Sequence, residues 1–180
     1  LDGFEMEEIV PAIQQWRYRN KLEYSFGAGA VGTADEGVAL GFHARGRWDQ
    51  VVDAEDCLLA SEENNRARNE VRAWARAQEL PAYDPRGGGG VLRNLVVREG
   101  RRTGQLQTRL VTSPEEIPRP PVDLHTVVEG TGSGTDGPTG ALGREHLYEE
   151  LSGLRFRISH SAFFQTNTEM AERLYAIAPE

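Results

Sequence analysis

The sequence predicts an α+β fold with a mainly antiparallel sheet built from hairpins. Three observations carry this. Strand-like segments come in pairs separated by short glycine-bearing turns. One long helical segment stands between two such pairs. Strands and helices do not alternate as parallel βαβ units require.

Taken in order, residues 1–15 hold Asp2, Glu5, Glu7 and Glu8 among few apolar positions and read as a ragged lead-in. Residues 18–26 alternate, with Leu22, Tyr24 and Phe26 on one side and Arg19, Lys21, Glu23 and Ser25 on the other, which is the pattern of a half-buried strand. Residues 27–37 form a turn, and Val38, Leu40 and Phe42 make the returning strand. His43, Arg45 and Arg47 lie on or just past its opposite side, and residues 48–52 give a short third strand. Ser61 caps a helix that runs to about Leu80, where Pro81 stops it. Ala67, Val71, Trp74 and Leu80 supply its apolar stripe, and Arg66, Arg68, Arg72 and Arg76 its solvated side.

Glycines 87–90 form a loop. Residues 91–98 and 105–112 make a second hairpin across the 100–104 turn. After a proline-rich connection, residues 123–129 read as a strand. Residues 130–140 are low-complexity and read as a flexible loop. Leu154, Phe156 and Ile158 alternate with Arg155, Arg157 and Ser159 in a last strand. Thr166 and Glu169 have capping-box spacing, and Met170, Leu174 and Ile177 repeat at helical intervals. Phe163, Phe164 and Gln165 thus fall on a strand-to-helix turn, a place that projects side chains and backbone N–H groups into a crevice.

A length of 180 residues suits one domain, or one domain and part of another. Twenty basic against 28 acidic side chains give a net charge of −8, which argues against nucleic-acid binding by bulk charge and leaves room for a local basic face. The single cysteine excludes an internal disulfide. No apolar run approaches the ~18 residues of a membrane span, and nothing reads as a signal peptide, so a soluble cytoplasmic protein is expected. The chain starts Leu-Asp-Gly and stops just after a helix, and it reads as a piece of a longer one.

From residue types alone, Phe163 and Phe164 suit a core and Gln165 a surface turn. Arg19, Lys21, His43, Arg45 and Arg47 are either solvated charge or a patch that contacts phosphates, with Arg93 and Arg98 as weaker candidates. Cys57 reads as a buried small hydrophobe. Neither a Ser/His/Asp arrangement nor a metal-ligand spacing stands out around His43, His125, His146 and His160. The glycines at 87–90 and 130–140 do not follow a strand and open a helix, as a cofactor loop must.

Several stretches, in order, resemble one family. They are Arg19-Asn20-Lys21, the run Gly-Phe-His-Ala-Arg-Gly-Arg-Trp at 41–48, Val-Asp-Ala-Glu-Asp-Cys at 52–57, Leu-Arg-Asn-Leu at 92–95, Gly-Arg-Glu-His at 143–146, and Phe163-Phe164-Gln165-x-Asn167 after the strand Gly-Leu-Arg-Phe-Arg-Ile-Ser at 153–159. The set is similar to the S-adenosylmethionine-dependent RNA (uracil-C5) methyltransferases. The resemblance implies a central α+β domain over 1–152 and the first strand and helix of a truncated methyltransferase domain over 153–180. It implies that Gln165 contacts S-adenosylmethionine and that Phe163 lies at the target base. RNA, a tRNA or an rRNA, is then the partner, gripped also by Arg19, Lys21, Arg45 and Arg47.

In some members a cysteine placed like Cys57 is the fourth ligand of an iron–sulfur cluster whose other three ligands lie upstream, so no cluster is expected in this chain. The cysteine nucleophile, the general base and the cofactor loop lie downstream in the family, so this stretch is expected to be inactive alone, with no catalytic residue of its own. The alternative is a noncatalytic RNA- or protein-binding module that has kept the scaffold.

Overall fold

A computed structural model describes residues 8–29, 37–130 and 138–177. Most of the turn after the first strand, and residues 131–137 of the glycine-rich segment expected to be flexible, lie outside the described residues. The elements run β1 (Lys21–Gly27), β2 (Ala39–Ala44), β3 (Arg47–Asp53), α1 (Glu62–Ala77), β4 (Leu92–Gly100), β5 (Gln105–Thr112), β6 (Leu124–Val127), β7 (Gly140–Ala141), β8 (His146–Leu151), β9 (Leu154–Ser159) and α2 (Thr168–Ile177). One seven-stranded sheet has the order β3-β2-β1-β4-β5-β6-β7, and β8–β9 is a separate hairpin. All pairings are antiparallel except β5 with β6. The expected α+β class with a mainly antiparallel sheet is what forms.

The core lies between the sheet and α1. Leu22, Tyr24 and Phe26 of β1 point inward, as their alternation predicts, and meet Leu40, Leu95, Val97, Leu110, Val71 and Ala75. Ser61 caps α1 by accepting from the Asn64 amide at 3.1 Å, and Glu62 and Glu63 complement the helix dipole in the first turn.

Of the four arginines expected on the solvated side of α1, Arg66 is exposed, and Arg68, Arg72 and Arg76 are a correction. The buried residues of α1 are Asn64, Asn65, Arg68, Val71 and Ala75. Three of these five are polar, and this hid the buried face from a hydrophobicity reading. The protein satisfies them locally. Tyr24 donates to Asn64 Oδ1 at 2.9 Å, and the fully buried Arg68 sits 5.2 Å from the centre of the Tyr24 ring and donates to the Glu55 carbonyl. Arg72 and Arg76 are not solvated either: they converge on Asp53 at 2.9 and 2.7 Å. Asp53 also accepts from the Leu40 amide at 2.9 Å, so it ties β3, β2 and α1 together.

The second face of the sheet carries β8–β9, with Leu147 and Ile158 buried against it. The approach is close at Gly100, where an added Cβ would stand 2.2 Å from the Tyr148 carbonyl oxygen. Only glycine fits there. β8 is absent from the sequence expectations because one of its three inward residues, Leu147, Glu149 and Leu151, is a carboxylate.

Burial pushes the Asp53 carboxyl up, but the Leu40 amide and then Arg72 and Arg76 hold it below its ordinary range. A depressed carboxyl stabilises the fold above its unfolded pKa and loses that contribution as pH falls through the folded value. Asp53→Ala is therefore expected to cost about 2–3 kcal/mol at neutral pH, below the full cost of an orphaned buried charge because the site is partly solvated. It should also shrink the stability lost below pH ~4. Denaturant melts at pH 7 and pH 3 check both.

Candidate functional site

The turn after β9 is held from three sides. Arg98 of β4 donates to the Ala162 carbonyl at 2.6 Å. Asn20, just before β1, donates its amide to Thr166 O at 2.9 Å and its side chain to Gln165 O at 2.8 Å and Thr168 Oγ1 at 2.9 Å. The Thr168 hydroxyl donates onward to Glu149 Oε2 at 2.8 Å. The cap of α2 is Asn167, whose Oδ1 accepts from the Met170 amide at 3.0 Å; the expected Thr166–Glu169 box is corrected by one residue, and Glu169 turns instead to Arg101 at 3.4 Å.

This clamp separates the two phenylalanines. Phe164 turns inward, its ring 5.9 Å from that of Phe156, and lines a small cavity with Lys21, Arg98, Leu147 and Ile158. Phe163 turns outward and is 84% exposed. Gln165 is half-buried between them and the helix start. An exposed phenylalanine on a backbone this firmly held gains nothing from the core, and its ring is free to pack on a partner.

Beside the turn the sheet gathers cations. Lys21 pairs with Arg98 across β1–β4, and Arg109 of β5 stands on the same face. Arg98 is only 6% exposed. Burial, then Arg98, holds the Lys21 ammonium below its ordinary value. Burial and then Arg109 lower Arg98, and burial lowers Arg109 against the pull of Glu23. His160 completes the group: burial, then Arg109 and Arg98, hold its imidazole below the usual range, and its Nδ1 is buried with no hydrogen-bond partner among the described residues. A cleft of about 460 Å³ opens next to His160, lined also by His146, Arg157, Ser159 and Glu145.

The candidate residues read from the sequence are thus split. Arg19 and Lys21 lie at the start of β1, next to the clamp formed by Asn20; Arg19 is half-buried, its amide on the Leu59 carbonyl at 3.0 Å. Arg45 and Arg47 are exposed on the β2–β3 hairpin. β1 pairs with β2 only over Ser25–Gly27, so that hairpin leaves the β1 face, and Arg47 binds Asp49 at 3.0 Å. Asn20, Arg109, His160 and Glu149 were not singled out from the sequence; only Asn20 carried a signal, inside the Arg19-Asn20-Lys21 motif. Cys57 is buried in the core on the α1 side, its amide donating to Asn65 Oδ1 at 2.9 Å. It is the only cysteine of the chain, and one thiolate cannot hold an iron–sulfur cluster. Among the described residues no three His, Cys, Asp or Glu side chains are grouped to bind a metal ion, and no helix is long and apolar enough to cross a membrane.

No protein-family model matches the chain. A protein from Clostridium tetani named as an uncharacterized RNA methyltransferase is 32% identical over 98% of this chain and 42% of its own length. One of the same description from Caldanaerobacter subterraneus subsp. tengcongensis is 33% identical over 100% of this chain and 43% of its own. The tRNA (uracil(54)-C(5))-methyltransferase of Pyrococcus furiosus is 29% identical over 93% of this chain and 40% of its own. The crystal structure of Pyrococcus abyssi tRNA (uracil-54, C5)-methyltransferase in complex with S-adenosyl-L-homocysteine superposes with a TM-score of 0.73, at 22% identity, over 94% of this chain and 42% of that one. Over essentially its whole length the chain is a homologue of RNA methyltransferases, and it spans about two fifths of the length of these relatives.

The His160 environment has a measurable consequence. A depressed imidazole binds its proton later in the folded than in the unfolded state, so stability falls as pH drops from about 7 toward 5. His160→Asn is expected to flatten that part of the stability–pH curve, leaving the part due to His125, whose imidazole burial also lowers. Thermal melts across pH 5–8 check it; an unchanged slope would contradict the placement.

Proposed function

We propose that this chain is the RNA-facing segment of an S-adenosylmethionine-dependent RNA methyltransferase acting on C5 of a uridine in tRNA or rRNA. Residues 1–152 form its central domain, and residues 153–180 open the methyltransferase domain. The observation that carries the reading is the outward Phe163 beside the half-buried Gln165, on a turn clamped next to Lys21, Arg98, Arg109 and His160.

Each part has a role in that chemistry. Phe163 offers a ring face to a base taken out of its stack, worth about 1–3 kcal/mol. Gln165 can donate and accept toward a polar edge of the cofactor. S-adenosylmethionine supplies the methyl group when bound. Lys21, Arg98 and Arg19 provide positive potential for the backbone beside the extruded nucleotide, which fixes register without reading sequence. The β8–β9 hairpin bridges the 152/153 boundary, so the two parts move together. Addition at C6 of a uracil needs a nucleophile. Cys57, buried behind the sheet, is not placed to be one, so that group comes from outside this stretch. A cytoplasmic setting accompanies this reading.

In the enzyme that carries this segment, Gln165→Ala is expected to weaken S-adenosylmethionine binding by about 1–3 kcal/mol, the cost of an unpaired polar group. Phe163→Ala should lower turnover on RNA, spare cofactor affinity, and leave stability within about 0.5 kcal/mol because the ring is exposed. Calorimetric cofactor titration and single-turnover 5-methyluridine assays separate the two. Equal cofactor affinity in wild type and Gln165→Ala sinks the assignment of Gln165. For the chain itself, Arg19→Ala with Lys21→Ala should weaken RNA binding and reduce the slope of log affinity against log salt by about 2. An unchanged slope makes these residues ordinary solvated charge.

A further inference from the structure

A second cleft, of about 420 Å³, opens at the other end of the same sheet face, where the β2–β3 hairpin leaves β1. Its size falls within the ~300–1,000 Å³ of small-ligand sites. One wall is the indole of Trp48, which is 58% exposed. The Arg86 guanidinium lies 4.9 Å from the centre of that ring and 3.1 Å from Asp49. Opposite stands Tyr83, with the Arg93 guanidinium 3.8 Å from its ring centre. Ser25, His43 and Asn94 add polar atoms to the lining, with Asn94 Nδ2 3.4 Å from Ser25 Oγ.

The cleft is built rather than incidental. The loop that carries Arg86 is fixed by Asp84, whose carboxylate accepts from the Arg86 and Gly87 amides at 2.9 and 3.1 Å. Its ends are closed by Asp84 N to Gly89 O at 2.7 Å and Tyr83 N to Leu92 O at 2.8 Å. Arg47 and Arg86 share the single carboxylate of Asp49. Arg47 holds the Asp49 carboxyl below its ordinary range, so the sharing persists at neutral pH. An exposed indole, an exposed guanidinium over it and amide and hydroxyl groups beside it are the complement of a flat heteroaromatic ring joined to a phosphate.

We propose that this cleft binds one unpaired nucleotide of an RNA strand, its base stacked on Trp48 and its phosphate on Arg86. The base takes the position Arg86 now occupies over the indole, and the displaced guanidinium meets the phosphate. The site is distinct from the turn that holds Phe163. It rests on the RNA reading above, and the test keeps the two apart.

The experiment measures binding of the chain to a fluorescently labelled single-stranded RNA decamer of mixed sequence, and to a duplex of the same length, by anisotropy at several salt concentrations. Trp48→Ala is expected to weaken single-strand binding about 5- to 100-fold, as loss of one stacked base does. Trp48→Phe should restore most of it, and duplex binding should stay unchanged. Arg86→Ala, in an exposed loop that Asp84 holds through the backbone, serves as a second variant; it should weaken binding and lower the salt slope by about 1. The proposal is overturned if Trp48→Ala and Arg86→Ala bind like wild type while the Arg19, Lys21 double variant binds less: RNA then docks at the turn alone. It is overturned as well if uridine or adenosine monophosphate saturates the cleft as tightly as the decamer, which makes it a free-nucleotide site. No RNA binding by wild type under any salt condition removes this proposal together with the RNA reading beneath it.

Discussion

A buried carboxylate, Glu149, fixes the relation between the sheet and everything that follows it. It is fully buried and accepts four hydrogen bonds, from the amides of Arg101, Arg102 and Glu150 at 2.9, 2.9 and 3.0 Å and from the Thr168 hydroxyl at 2.8 Å. Three elements meet there: the β4–β5 turn, the β8 strand and the start of α2. Taking a carboxylate out of water costs several kcal/mol, and hydrogen bonds to the ionised group return it only when the lone pairs are filled. Here they are filled, largely by backbone amides that have no ladder partner of their own. The arrangement is consequently all or none: shifting β8 by one residue would orphan the carboxylate and the amides together.

From Glu149 the order spreads outward through Thr168 to Asn20 and from Asn20 to the Gln165 carbonyl. The turn is therefore positioned in part by one side chain, Asn20, 145 residues before Gln165, and Phe163 is left exposed on a backbone held in place. Rigidity at such a place has a use, because a backbone already held in position loses little entropy when a partner packs on the side chain it carries. The neighbouring cations carry the opposite sign of free energy. Holding Lys21, Arg98, Arg109 and His160 close together works against folding, since burial lowers all four and neighbouring cations further lower Lys21, Arg98 and His160. Such costs persist where an anion recovers them on binding.

What was legible in the sequence follows the same physics. Alternation in Leu22, Tyr24 and Phe26, the cap at Ser61 and the glycine turn at 100–104 each act locally, and each element appears where local rules put it. Arg68 and Glu149 were illegible because a charge in a core position is paid for by partners distant in sequence or by backbone atoms, which no periodicity records. The two phenylalanines were ambiguous for a related reason. Their identity is the same, and only the clamp of Asn20 and Arg98 on the turn decides which ring is inward. The resemblance, carried by motifs such as Arg19-Asn20-Lys21, grouped Arg19 and Lys21 with Arg45 and Arg47. It could not show that Arg45 and Arg47 sit on a hairpin that leaves β1 after Gly27.

That departure explains how a chain of net charge −8 can present a surface to an anionic polymer. The exposed carboxylates of Glu62, Glu63 and Glu70 lie on α1, on one side of the sheet. Lys21, Arg98, Arg109 and the cleft of Trp48 and Arg86 lie on the other. Along β1, Lys21 and the nearest cleft residue, Ser25, are four residues apart, about 13 Å at the rise of a strand. At ionic strengths near 0.15 M charges separated by more than ~8 Å act almost independently. The net charge therefore sets solubility and the field at a distance, while each basic region acts on what touches it. What the alternation of β1 accomplishes is to sort apolar from polar side chains: its even-numbered residues build the core against α1, and its odd-numbered residues Lys21, Glu23 and Ser25 lie on the opposite face, with Ser25 in the lining of the Trp48 cleft.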